Sequence, residues 1–422
     1  MNKISYFRKR IISQYNNGEL EAAIETGEAL LREQQRNLQF ATMGYATDMY
    51  NLARIHDEMG ELERAKDLYN ESARHMYTLE GETVSFANCL GNFAMVLSRT
   101  GHEKTAYVLF WQVSNIYRNL GQRNSQYADS LYNLANISAI LGKHKESLKY
   151  HLDALQIRQR EGLNEDIINS LHSIAFLYET TNEYNKAVAY AEMAVKFASH
   201  NLSHDAETYI SACTYLAGLY ESNSKYAEAI EFYDKVLETM LNNVGISKKH
   251  SAYLNMAFRR ASALSETTQL KESLECFKDI CEIFEKISDK YHTFYASCLR
   301  NIANLHADLN EPSLAESKML ECMKICRAIS LDITSEVLFL LKLYLNDNIF
   351  DISKALEILV YSLMCCNESD ENLKPLINNI VEVFEQENTF SMKELLAILD
   401  LLCDRDKLSL IISKWKDWEM VK

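Results

Sequence analysis

The stretch NLARIHDEMGELERAKDLY (51–69) sets the fold. In it a small residue, Ala53, is followed seven positions on by Gly60, twelve on by Ala65 and sixteen on by the large Tyr69. The alanine returns at Ala94, Ala135, Ala175, Ala217, Ala261 and Ala303, at intervals of 41, 41, 40, 42, 44 and 42 residues. A fixed period in this range is the signature of stacked repeats. The seventh position is held by Gly60, Gly101, Gly142, Asn182, Ser224, Thr268 and Asn310. Gly and Asn readily enter the left-handed conformation that ends a helix; Ser and Thr do so less well. The twelfth position is always small: Ala65, Ala106, Ser147, Ala187, Ala229, Ser273 and Ala315. The sixteenth is usually larger: Tyr69, Phe110, His151, Ala191, Tyr233, Phe277 and Met319. Two small residues per unit let two antiparallel helices approach closely, and the large one fills the groove to the next unit. The period therefore predicts an all-α solenoid, a superhelix of antiparallel helical hairpins.

Composition agrees. The 422 residues include only 2 prolines and 12 glycines, and 47% are hydrophobic, enough for a continuous core. The formal net charge of −15 argues against nucleic acid as the main ligand and against an anionic membrane surface. It biases the chain mildly towards basic or neutral partners. No apolar stretch is long enough to span a bilayer. The N-terminal MNKISYFRKRIISQYNNGE lacks the apolar run of a secretory signal. Ten cysteines without a regular framework read as buried free thiols, which makes the cytoplasm the expected compartment.

Segments such as NLARIHDEMGELERAKDLY (51–69), NLANISAILGKHKESLKYHLDAL (133–155) and YLAGLYESNSKYAEAIEFYDKVL (215–237) resemble the tetratricopeptide repeat. The usual repeat has 34 residues and a proline closing its second helix. Here the period is about 42 and that proline is missing, which is similar to the long-helix subclass of kinesin light chains. The resemblance covers roughly residues 4–345 and implies fold more than function.

Ile11, Gly18 and Ala23 keep the offsets 0, +7 and +12, so residues 4–34 read as a degenerate first unit and the solenoid as about eight hairpins over 1–345. Leu343 and Ala355 keep only the +12 offset. The stretch 346–422, with ISKALEILVYSLMCC, LKPLINNIVEVFEQE and Trp415 and Trp418 near its end, is expected to form an irregular helical C-terminal cap or a docking region.

In such an array the first helix of each hairpin lines a concave groove. Counting from the alanine, offsets −6, −3, −2, +1, +4 and +5 fall on the inner face. Offset −2 reads Asn51, Asn92, Asn133, Ser173, Tyr215, Arg259 and Asn301. A row of carboxamides can grip both the N–H and the C=O of an extended peptide, each bond contributing about 1 kcal/mol. The same side chains can instead bond neighbouring helices and fix repeat spacing. The likeness to kinesin light chains implies peptide binding at Asn51, Asn92, Asn133 and Asn301. Tyr50, Tyr132 and Phe176 are candidate pocket walls. Arg54, Arg259 and Arg300 are candidate anion contacts, with Arg99 beside them, and Asn136 and Asn304 extend the polar set. Asp57, Glu58, Asp129, Glu179, Glu221, Glu266 and Asp308 oppose them, so the face is mixed in sign.

No phosphate-binding loop, dinucleotide fingerprint or nucleophile elbow is present. Cys276, Cys281, Cys298, Cys322 and Cys326 concentrate in two adjacent units without a CxxC pair, so they read as small core thiols rather than metal ligands. Adjacent Cys365 and Cys366 read the same way. His200 and His204 lack the HExxH frame and read as loop residues. The chain is therefore expected to be a non-enzymatic scaffold that needs no cofactor or metal and binds a protein or peptide. The alternative is a regulatory subunit or sensor acting on a partner enzyme, similar to bacterial peptide receptors. With the first hairpin starting near residue 4, a counterpart of their N-terminal output domain is not expected in this stretch.

Overall fold

In the computed structural model the described residues are 3–201, 207–242, 244–287, 293–345, 354 and 358. They form seventeen α-helices and no strand. Helices α1 (Lys3–Asn16) and α2 (Leu20–Arg36) make the degenerate first hairpin. Then come α3 (Met43–Glu58) with α4 (Leu62–Glu80), α5 (Val84–Arg99) with α6 (Glu103–Asn119), α7 (Ser125–Ile140) with α8 (His144–Glu161), and α9 (Asn164–Thr180) with α10 (Tyr184–Asn201). After α11 (Glu207–Ser222) follow α12 (Tyr226–Asn242), α13 (Ser251–Ser265), α14 (Leu270–Ile287), α15 (Thr293–Asp308), α16 (Pro312–Ala328) and α17 (Thr334–Leu345). The chain divides into two compact units, 1–219 and 220–422. The expected cap at 346–422, with Ala355, Cys365, Cys366, Trp415 and Trp418, lies outside the described residues, as does His204.

All seven alanines of the period are fully buried, and so are all seven residues at offset +12. The offset +16 residues, from Tyr69 to Met319, are buried as well. At the degenerate end Ile11 is only half-buried while Ala23 is sealed. One further close approach depends on a missing side chain. A Cβ on Gly27 in α2 would stand 2.8 Å from Leu52 Cδ1 of α3, so a larger residue there would push the Leu52 side chain aside.

The +7 turn works as expected at six of its seven positions. Gly60, Gly101, Gly142, Asn182, Ser224 and Asn310 all have positive φ. Each turn is closed by a bond from the next residue's N–H to a carbonyl five positions back, as from Glu61 to His56 at 2.9 Å and from Lys225 to Tyr220 at 2.8 Å. Thr268 is the correction. Its β-branched side chain disfavours the left-handed region, and it is not among the positive-φ residues. Helix α13 ends at Ser265, and the N–H of Gln269 turns to Thr267 Oγ1 at 3.2 Å. Ser224, by contrast, is held at φ 56°. Ser224→Gly is therefore expected to raise stability by about 0.5–1 kcal/mol, read as a higher urea midpoint; an unchanged or lower midpoint would contradict the strain argument.

A second row of left-handed residues follows the second helices. Gly81, Gly121 and Gly162 close the second helices with φ of 72°, 67° and 69°. The side chains of Thr42, Thr83 and Asn124 cap α3, α5 and α7 by accepting from Tyr45, Phe86 and Tyr127 N–H.

Candidate functional site

Most of the candidate residues at offsets −3 and −2 hold one repeat against the next. In the first unit Asn92 Nδ2 donates to Tyr50 Oη at 3.0 Å, and Tyr132 Oη meets Ser173 Oγ at 3.0 Å. Tyr215 Oη donates to Glu179 Oε2 at 2.9 Å, and burial together with that carboxylate pushes the phenol well above its usual range. Arg99 pairs with Asp57. In the second unit Arg259 Nη2 and Tyr233 Oη both donate to Glu221 Oε2, at 2.9 and 2.6 Å. Arg300 Nε donates to the buried Glu336 at 2.7 Å. Asn301 Nδ2 bonds its own helix at Ser297 O, 2.9 Å away. A period near 42 sets offset −2 of one repeat opposite offset −3 of its predecessor, so polar side chains there meet each other first. Asn51 and Asn133 have no side-chain hydrogen bond among the described residues.

Offset +1 is different. The alanine at offset 0 faces its partner helix, and the next residue is rotated by 100° towards solvent. In the first unit this row reads Ile12, Arg54, Met95, Asn136, Phe176 and Gly218. Ile12 is 60% exposed, Met95 37% and Phe176 58%. Arg54 is exposed without an ion pair among the described residues, and Asn136 is half-buried. In the second unit Asn304 is likewise exposed. From Ile12 to Phe176 the row alternates apolar and polar side chains, and beyond it Gly218, Ser262 and Asn304 carry no large apolar group; Phe176 and Asn136 are legible as candidates from sequence.

At the N-terminal end of this face lies a cavity of about 580 Å³ between α1, α2 and α3. Ile11, Ile12, Leu30, Leu52 and Ile55 make its apolar lining, and Asn51, Arg54, Thr47 and Tyr15 supply polar groups. Its wall contains an ion pair that repeat spacing did not reveal. Arg8 Nε and Nη2 grip the buried Asp48 at 2.7–3.0 Å, and Gln34 Nε2 adds a bond at 2.9 Å. The geometry is two-pronged, which fixes α1 on α3.

Beneath the face between α7 and α9, Arg158 is buried. Its guanidinium donates to Asp129 Oδ1 at 2.7 Å, Ser170 Oγ at 2.8 Å and Asp166 O at 3.1 Å, and lies 4.6 Å over the Tyr132 ring. His151 packs edge-on against the same ring at 5.2 Å. Burial, and then the Arg158 charge, push the His151 pKa down to about 4. Thiols move the other way: burial pushes the buried Cys89 up to about 11 and raises the half-buried Cys276. A raised pKa disfavours the thiolate and with it a nucleophilic role.

Models of the tetratricopeptide repeat match residues 49–74, 126–199 and 212–243. A kinesin light chain-related protein of Arabidopsis thaliana is 22% identical over 277 residues, or 63% of this chain. The match takes in 40% of that protein's length, so the chain spans well under half of this curated relative. Among solved structures, a signal transduction ATPase with a tetratricopeptide repeat sensor from Pyrococcus horikoshii superposes with a TM-score of 0.53 at 14% identity, over 78% of this chain and 48% of that one. The C-terminal part of a repeat-containing protein from Cytophaga hutchinsonii gives 0.49 at 12% identity, over 65% and 95% of the respective chains. No helix among the described residues is long and apolar enough to cross a membrane.

Proposed function

We propose that this chain, a tetratricopeptide-repeat protein with repeats of the kinesin light chain type, is a protein–protein interaction scaffold that holds an extended partner segment on the face of its first helices. The observation that carries the reading is the exposed offset +1 row. Ile12, Met95 and Phe176 stand in solvent on α1, α5 and α9, while the neighbouring polar rows are largely engaged in holding the repeats together. Large apolar side chains left exposed at one repeating position favour a partner that covers them. Arg54, Asn136, Asn51 and Asn133 lie between or beside them and offer donors and acceptors to a peptide backbone. The cavity walled by Arg54 and Asn51 accepts one apolar side chain of the segment. Asn301 and Asn304 are the corresponding polar groups of the second unit.

The test is a peptide-display selection on the whole chain, followed by affinity measurements on variants. Each apolar side chain buried fully from water contributes about 1.5–3 kcal/mol, and Met95 and Phe176 are already partly covered. Met95→Ala with Phe176→Ala is therefore expected to weaken the selected peptides by about 10–100-fold. Asn92→Ala, which breaks the bond to Tyr50, is expected to cost about 1 kcal/mol of stability and little affinity. A selection that returns no binders, or binders that hold the double variant equally well, would sink the reading.

A further inference from the structure

Helix α16 carries Cys322 and Cys326 one turn apart on one face, and the first turn of α17 brings Glu336 against them. All three residues are buried. The sulfurs are 3.9 Å apart, Cys322 Sγ is 3.7 Å from Glu336 Oε1, and one ligand atom from each residue lies within 4.8 Å of the others. A tetrahedral zinc ion with bonds of about 2.3 Å to sulfur and about 2.1 Å to oxygen needs ligand atoms about 3.6–3.8 Å apart. Two of the three edges, at 3.9 and 3.7 Å, are within about 0.2 Å of that length. We propose that Cys322, Cys326 and Glu336 form a binding site for a thiophilic divalent cation, with zinc as the natural occupant.

The charges balance. Before binding, the buried group holds two neutral thiols and the Glu336 carboxylate paired with Arg300, whose Nε donates to it at 2.7 Å. On binding, two S–H bonds break, two protons leave to solvent and two metal–sulfur bonds form, so one dication replaces two protons. The group stays neutral, which a buried site requires. Arg300 remains bonded to the carboxylate and orients it. The three side chains leave a fourth position for water, and thiolate donors select zinc over magnesium or calcium. Binding gives up the thiol hydrogen bonds within the cluster and the one from the Cys322 thiol to Ala296 O at 3.2 Å. Ser72, at the same repeat position as Cys322, makes the equivalent bond to Ala46 O at 2.7 Å. Cys322 therefore fills an ordinary core position, and Glu336 is what makes the place different.

The experiment is a titration of the reduced full-length chain with Co²⁺, followed by Zn²⁺. The expected result is about one equivalent of cobalt giving thiolate charge-transfer bands and tetrahedral visible bands, both erased by zinc. Cys322→Ser and Cys326→Ser are each expected to lose the bands, and Glu336→Gln to weaken binding at least about tenfold. Cys281→Ser, a thiol elsewhere in the same core, is expected to keep them. Zinc is expected to raise the melting temperature of the parent chain and not that of Cys322→Ser. Absent bands at excess cobalt, bands that survive in both Cys322→Ser and Cys326→Ser, or bands lost in a folded Cys281→Ser would overturn the assignment.

Discussion

Arg300→Ala is expected to lower the stability of the C-terminal unit by about 3–5 kcal/mol. The Glu336 side chain is completely buried, and its cationic partner is Arg300, which is 37% exposed. In the metal-free chain, removing the arginine leaves a carboxylate without its counter-charge in a low-dielectric core. Ser335 Oγ, 3.0 Å away, and the N-terminal end of α17 give only partial relief. Charge pairs that are removed from one side cost far more than the pair contributes when intact. Arg300→Ala combined with Glu336→Gln is therefore expected to recover much of the loss, because no buried charge remains. Urea unfolding of the two single variants and the double variant gives the coupling directly. A loss below about 1 kcal/mol for Arg300→Ala, or no recovery in the double variant, would show that the pair behaves as a surface ion pair.

Acidification is expected to destabilise the N-terminal unit through His151. The imidazole titrates at 6.5 in the unfolded chain and at about 4 in the fold. Below pH 6.5 the unfolded chain takes up a proton that the folded chain refuses. The stability present above pH 6.5 is thus lost as pH falls towards 4, by about 3 kcal/mol in all. His172 acts in the same direction, its pKa lowered by burial. His151→Phe places at offset +16 the residue that Phe110 and Phe277 already show at that position. The difference between parent and variant, measured by urea unfolding from pH 7 to pH 4.5, isolates the histidine from the carboxylates that titrate in the same range. Parallel curves for the two proteins would rule out the mechanism.

The architecture was legible because it rests on steric rules that repeat. Ala53 and its six counterparts, and the small residues twelve positions on, have to be small wherever two helices touch, so packing writes itself into spacing. Thr268 shows the limit of that reading: the same spacing is kept by a residue whose branched side chain resists the turn, and the helix ends early instead. The candidate face was legible only in outline. Offset arithmetic placed Tyr50, Asn92, Tyr132, Arg259 and Arg300 on the first helices. It could not tell which would find a partner, because Asn92 meets Tyr50 from 42 residues away and Arg300 meets Glu336 from 36.

The sequence by itself determined the helical hairpins, their register and the residues that seal them, since these follow from local propensity and a fixed period. Tertiary structure decided which polar side chains are consumed within the stack and which stand free at offset +1. It also decided that Arg8 closes on Asp48, and that Glu336 joins Cys322 and Cys326. Those pairings depend on distances between side chains on different helices, which a one-dimensional period does not contain.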